Sequence, residues 1–221
     1  MERIQIKTIS TVDAVSDMLE NDIYSLRYSM GEKITEADLV SRYNVSRNTI
    51  RESFAYLISM GLLEKVANKG IYVKDISAND IEEIFHLREL LEAEAIREVI
   101  AQKANLSKLR TLADAVASSS TPSGFNENRK ADIAFHQALV EAAGSPRLMK
   151  MYEGLLFEVK LCVYQAQAFV PARPENAILH FKLLNAIEEG NLEQSLQYLS
   201  EHIDSAIKSY QTGLQNRQHQ H

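Results

Sequence analysis

The feature that most constrains this chain is a change of texture at about residue 76. From Ser77 to about residue 213 apolar residues recur at helical spacing with only short breaks, whereas residues 1–75 mix helical and strand-like patterns. Two units are therefore expected, 1–75 and 76–221, and 221 residues are enough to give each a core. The second unit divides into six helices of roughly 80–104, 107–118, 126–143, 146–169, 175–189 and 191–213. Their breaks are marked by a Ser77/Asp80 capping box, Thr121-Pro122-Ser123-Gly124, Gly144-Ser145-Pro146, Pro171-Ala172-Arg173-Pro174 and Gly190-Asn191. Such short connections favour antiparallel neighbours in an all-α bundle.

The first unit reads differently. Ile9, Val12, Val15, Leu19, Ile23 and Leu26 predict an amphipathic helix, and Gly31 ends the connection that follows. Thr35-Glu36-Ala37-Asp38 has the form of a capping box opening a short helix to about Tyr43, with Asn44 and Val45 as the turn. Ser46 caps a third helix whose inward positions are Ile50, Phe54, Leu57 and Ile58, and Gly61 supplies a left-handed stop. Leu62–Val66 and Ile71–Val73, separated by Ala67-Asn68-Lys69-Gly70, read as a hairpin. The fold class is thus mainly α: an N-terminal winged helix-turn-helix followed by a C-terminal six-helix bundle.

Several function classes are excluded by what is missing. The closest glycines, Gly61 and Gly70, are nine residues apart, so neither a Walker loop, a dinucleotide-binding G-x-G-x-x-G nor a nucleophile elbow can be built. Cys162 is the single cysteine, which fits a reducing compartment and is simplest as a small core residue. Residues 1–7 lack an apolar signal core, and no stretch approaches the ~20 apolar residues of a membrane span. A cytoplasmic location with no membrane partner is expected.

Net charge is −6, and most of the acidity lies after residue 75, where 14 cations face 19 acids against 10 and 11 before it. Against that background Arg42-Tyr43-Asn44-Val45-Ser46-Arg47-Asn48-Thr49-Ile50-Arg51 holds three cations and no acid. With Ile50, Phe54 and Leu57 inward, Arg47, Asn48 and Arg51 project outward near the start of the third helix, where helix-turn-helix proteins meet base edges and phosphates. Arg pairs with guanine, Asn with adenine, and Ser46 or Thr49 can donate to phosphate. Single arginines of this kind are ordinary solvated cations. The cluster, with Arg42 before it and a wing of Asn68, Lys69 and Gly70 after it, points to double-stranded DNA.

Val45-Ser46-Arg47-Asn48-Thr49-Ile50-Arg51-Glu52-Ser53, Leu57, Gly61-Leu62-Leu63, Asn68-Lys69-Gly70 and Val73 resemble the signature of the GntR family of bacterial transcription regulators, over about residues 8–75. Ala37 departs from it, since many relatives carry Arg or Glu there.

In the second unit, polar residues stand on apolar stripes. Asp132 and His136 share a face with Leu139, Val140 and Ala143, and at four apart they are close enough to share one metal ion. His180 lines up with Leu183, Leu184 and Ile187, and His202 sits at the edge of a stripe with Leu199, Ile203 and Ala206. Each alone reads as a core histidine. Together, burying them without a shared cation leaves several polar groups to satisfy separately. Arg88 falls on the buried side of the fourth helix and needs an anion, either Glu92 or another bundle acid, or the carboxylate of a ligand.

Leu87-Arg88-Glu89-Leu90-Leu91-Glu92, Asp132-x-x-Phe135-His136, His180-x-x-Leu183-Leu184-x-Ala186-Ile187-x-x-Gly190-Asn191 and His202-Ile203 resemble the FCD effector domain of the FadR subfamily within GntR, over about residues 80–210. Six helices resemble its shorter, VanR-like branch. The resemblance implies a divalent metal, zinc or nickel by donor type, on Asp132, His136, His180 and His202. It also implies a small organic acid effector, with Arg88 as its clamp, and a homodimer on a palindromic operator. A helical metal-dependent hydrolase is the competing reading. A His-Asp phosphohydrolase, however, needs adjacent His and Asp, and a di-iron bundle needs two Glu-x-x-His pairs, of which only Glu83–His86 is present. The sequence is therefore read as a regulator and not an enzyme.

Overall fold

The structure is a computed structural model that describes residues 10–120, 125–166 and 175–218. Ile9, the expected breaks at 121–124 and 171–174, the last residues of the helix expected to reach 169, and the terminal histidines lie outside them. The chain divides into two compact units, Met1–Asp75 and Ile76–His221.

In the first unit, helices α1 (Thr11–Tyr24), α2 (Glu36–Tyr43) and α3 (Arg47–Ser59) accompany strands β1 (Lys33–Ile34), β2 (Leu63–Val66) and β3 (Gly70–Val73). The strands form an antiparallel sheet in the order β1-β3-β2, with Leu63 opposite Val73 and Ile34 opposite Ile71. Caps set the helices. Ser10, Thr35 and Ser46 each accept the backbone N–H three residues on, satisfying a donor that the first helical turn leaves unpaired. At the end of α3, Gly61 takes a φ of 75°, and Leu62 N–H reaches the Leu57 carbonyl, a Schellman closure that aims the chain into β2.

Two expectations are corrected here. Leu26 is not on the α1 stripe: α1 ends at Tyr24, and Leu26 is exposed at a φ of 64°. On α3 the buried set is Ile50, Ser53, Phe54 and Leu57, with Ile58 half-buried. Ser53 is tolerated inside because its hydroxyl donates to the Val12 and Thr49 carbonyls.

The second unit holds α4 (Ala78–Gln102), α5 (Ser107–Ser118), α6 (Phe125–Ala142), α7 (Pro146–Leu161), α8 (Glu175–Glu188) and α9 (Leu192–Gln218). The expected Ser77/Asp80 capping box opens α4. α9 runs on to Gln218, past the end near residue 213 expected from sequence. After α7 the helix widens into a π-helical turn, Cys162–Ala166, with Cys162, Val163 and Gln165 inside. α4 packs against α6, α7, α8 and α9. Its buried face runs Ile81, Ile84, Phe85, Arg88, Glu92, Ala95, Ile96 and Val99, so two charged side chains lie in the middle of an apolar stripe. Those two charges mark the interior site.

Candidate metal centre and nucleic-acid interface

Asp132 and His136 on α6, His180 on α8 and His202 on α9 converge in the second unit. Each offers one ligand atom, these atoms lie within 4.8 Å of one another, and all four residues are buried. The rings of His136 and His202 stack at 4.7 Å, and His180 meets both edge-on at 4.7 and 5.1 Å. His202, placed by sequence at the edge of its stripe, is fully inside.

Neighbouring groups fix which nitrogens face inward. His136 Nδ1 lies 2.6 Å from Glu92 Oε2, and His180 Nδ1 lies 2.8 Å from the Asn176 carbonyl. A carbonyl and a carboxylate only accept, so both Nδ1 atoms carry the proton and both Nε2 atoms keep a lone pair. Those Nε2 atoms, and Nδ1 of His202, are buried without a hydrogen-bond partner. His180 Nε2 comes within 3.2 Å of Asp132 Oδ1, which also accepts from the Asn176 amide at 3.3 Å. Unsatisfied buried nitrogens are costly, and three of them beside one carboxylate form the donor set of a borderline divalent cation. The residues present fit such an ion.

Behind the ligands, Glu92 is the hub. It accepts from Arg88 Nε at 2.7 Å and from the Tyr152 hydroxyl at 3.0 Å, in addition to His136. Burial alone would raise its carboxyl, but the Arg88 guanidinium and His136 outweigh that and bring it down to about 2. Burial likewise works against an ionised Asp132, yet the nearby His180 and the other surrounding imidazoles hold it well below the usual carboxylate range. His136 and His202 are pushed down chiefly by burial, which keeps them neutral and able to bind metal.

Of the sequence options for Arg88, the internal ion pair is present. The guanidinium Nε is paired with Glu92, while its Nη2 is buried with no hydrogen-bond partner. Sequence reasoning overlooked two contributors, Asn176 and Tyr152.

In the first unit, Arg47, Asn48 and Arg51 are exposed along the start of α3, with Thr49 half-buried. The Ser46 hydroxyl is occupied as the cap and lies 2.9 Å from Thr49 Oγ1. Arg51 Nε bonds Glu36 at 2.9 Å, and that bond lowers the Glu36 carboxyl. Arg42 is held back from the others, since it pairs with Asp22 at 2.8 Å and lies over the Tyr43 ring. Asn68 (φ 60°) and Gly70 (φ 123°) make the exposed β2–β3 turn around Lys69, and a Cβ on Gly70 would come within 3.1 Å of Lys33 Cε.

A winged helix-turn-helix joined in one chain to an all-helical unit with a polar interior centre is the build of a transcription regulator. Residues 11–73 match the family model of bacterial regulatory proteins of the gntR family, and residues 83–205 match that of the FCD domain. The chain belongs to the GntR family of regulators and carries an FCD domain. It is similar to the uncharacterized HTH-type transcriptional regulator BphR of Paraburkholderia xenovorans, 28% identical over 214 residues that cover 90% of this chain and 84% of that one. It is also similar to the HTH-type transcriptional regulator LutR of Bacillus subtilis, 26% identical over 198 residues, 78% of this chain and 89% of LutR. A solved GntR regulator from Rhodococcus sp. RHA1 shares the fold, with a TM-score of 0.80 at 24% identity, covering 91% of this chain and 98% of that one. The protein is thus a DNA-binding transcription regulator and not an enzyme, and neither family nor relatives support the hydrolase reading. Among the described residues no helix is long and apolar enough to cross a membrane.

Proposed function

We propose that this regulator holds a divalent metal ion, zinc or nickel, on Asp132, His136, His180 and His202, and that a small carboxylate bound beside it sets operator affinity. One observation carries the reading: three imidazole nitrogens and the Arg88 Nη2 donor are all buried and all without a hydrogen-bond partner. The ion, when bound, supplies a Lewis-acidic position for a carboxylate oxygen. Arg88 Nη2 orients the ligand, while its Nε stays with Glu92. Elemental analysis of wild type beside His180→Ala and His202→Ala, with calorimetry against a panel of small carboxylates, tests it. Metal content untouched by both substitutions overturns the site, and unchanged carboxylate binding in Arg88→Ala removes that residue's role.

The division of labour follows. Residues 1–75 read the operator through Arg42, Ser46, Arg47, Asn48, Thr49 and Arg51, with Asn68, Lys69 and Gly70 in the wing; residues 76–221 bind effector and dimerise. Support for a second copy as partner comes from α4 and α7. They flank a groove lined by Leu87, Leu90, Leu91, Met151, Gly154 and Leu155, in which Leu87, Leu90 and Met151 are more than half exposed. Glu158 on α7 completes the lining. Gly154 has no heavy atom near its missing Cβ, in a helix interior where glycine costs about 1 kcal/mol against alanine. Close approach of another backbone explains it.

A further inference from the structure

The chemical class of the effector can be narrowed, on the reading that a carboxylate binds beside a metal on the four ligands. Tyrosines and Cys162 aside, the buried ionisable side chains among the described residues of 76–221 are Arg88, Arg129, Glu92, Asp132 and the three histidines. As ligands the histidines are neutral, and two guanidiniums balance two carboxylates. Among the described residues the buried charges therefore cancel without metal and leave two excess positive charges with a divalent ion. A monocarboxylate leaves one of these uncompensated in the buried interior, and a dianion leaves none.

Arg129 supplies the place for the second charge. It stands one turn before Asp132 on the same face of α6, and its guanidinium lies 5.8 Å from the centre of the Tyr164 ring in the π-helical turn. Burial is the main influence on it and pulls its proton affinity down to about 10, so a ligand anion there would be favoured. Tyr210 lies near both arginines. Its ring packs on Phe85 at 5.1 Å, Arg88 lies 5.3 Å over that same Phe85, and the phenol senses the charges of Asp132, Arg88 and Arg129. We propose that Arg129 is a specificity-determining residue that receives the second carboxylate of a short dicarboxylate, whose first carboxylate lies at the metal and Arg88.

The test is calorimetry on the zinc-loaded full chain with succinate and glutarate beside butyrate and valerate, which match them in carbon count. Dicarboxylates should bind about tenfold tighter or more. Arg129→Met should erase that gap, leaving monocarboxylate affinity and zinc content unchanged, and Arg129→Lys should retain a preference for dicarboxylates. Melting curves of both variants establish that they fold, and thermal shift of wild type with the same four acids reads the preference without any substitution. Equal binding of both acid classes, or a preference that survives in Arg129→Met, overturns this inference and leaves the metal-and-carboxylate reading standing. Failure of all four acids to bind the zinc-loaded chain overturns both.

Discussion

At the scale of single residues, Glu92 decides what His136 can do. Its carboxylate accepts a hydrogen bond from Nδ1–H and so leaves the Nε2 lone pair facing Asp132, His180 and His202. Glu92→Gln keeps the shape but gives up the charge, leaving Arg88 without its anion. Metal affinity should fall about 10–100-fold, as for other second-layer partners of ligating histidines, measured by competition with a chromophoric chelator. Acid should act on the same network in chelator-stripped protein. His136 and His202 have folded values below their unfolded one, so between the two the unfolded chain binds more protons, and stability is lost as pH falls below about 6.5. Glu92, down to about 2 when folded, adds stability that is complete above about 4.5 and disappears as pH falls toward 2. Melting temperature should therefore drop from pH 7 to 5 and again below 4.5. A flat profile from 7 to 5 would show that the histidines are not buried neutral. The sequence made Asp132, His136 and His180 visible because each interrupts an apolar stripe. Asn176 stayed hidden, since its main contribution is a backbone carbonyl that carries no residue signature.

At the scale of elements, α2 restrains α3 through charge. Arg51 is bonded to Glu36, so a phosphate must replace a carboxylate before Arg51 can contribute to DNA binding. Glu36→Gln should thus tighten binding to operator and to unrelated duplex alike, because it frees a cation and removes a negative charge from the same surface. Arg47→Ala and Arg51→Ala should each weaken operator binding strongly while the melting temperature holds, and each should flatten the salt dependence. Gel shifts at several salt concentrations measure all three variants. Unchanged affinity in both alanine variants would remove α3 as the reading element. The caps that start these helices were legible because Ser and Thr hydroxyls have a fixed offset from the amide they satisfy. β1 was not, for Lys33–Ile34 is too short for any periodicity and exists through pairing with Tyr72 and Ile71. The π-helical turn was invisible for a related reason: Cys162–Ala166 continues the apolar run of α7, and only the hydrogen-bond spacing differs.

At the scale of the molecule, operator reading and effector binding have to be joined by an arrangement that each ligand prefers differently, since a ligand shifts an equilibrium only by its unequal affinity for the two states. One short α3 reads too few base pairs for a genomic address, so two copies must act together, and the α4–α7 groove is where a second copy is proposed to sit. Leu90 and Met151 are 67% and 64% exposed, yet neither contributes to the buried core of its own chain. Leu90→Glu and Met151→Glu should therefore leave helix content and melting of a dilute sample nearly unchanged while shifting the mass seen by light scattering from dimer to monomer. Operator affinity should fall with dimer population, and more steeply than affinity for a single half-site, because only the dimer engages both halves at once. Gly154→Leu probes the same face differently. Among the described residues no heavy atom packs within 4 Å of the added Cβ, and helix propensity improves, so the monomer should be no less stable. A copy whose backbone approaches Gly154 would be pushed away. A variant that still scatters as a dimer and grips operator like wild type would place the two-fold elsewhere on the bundle.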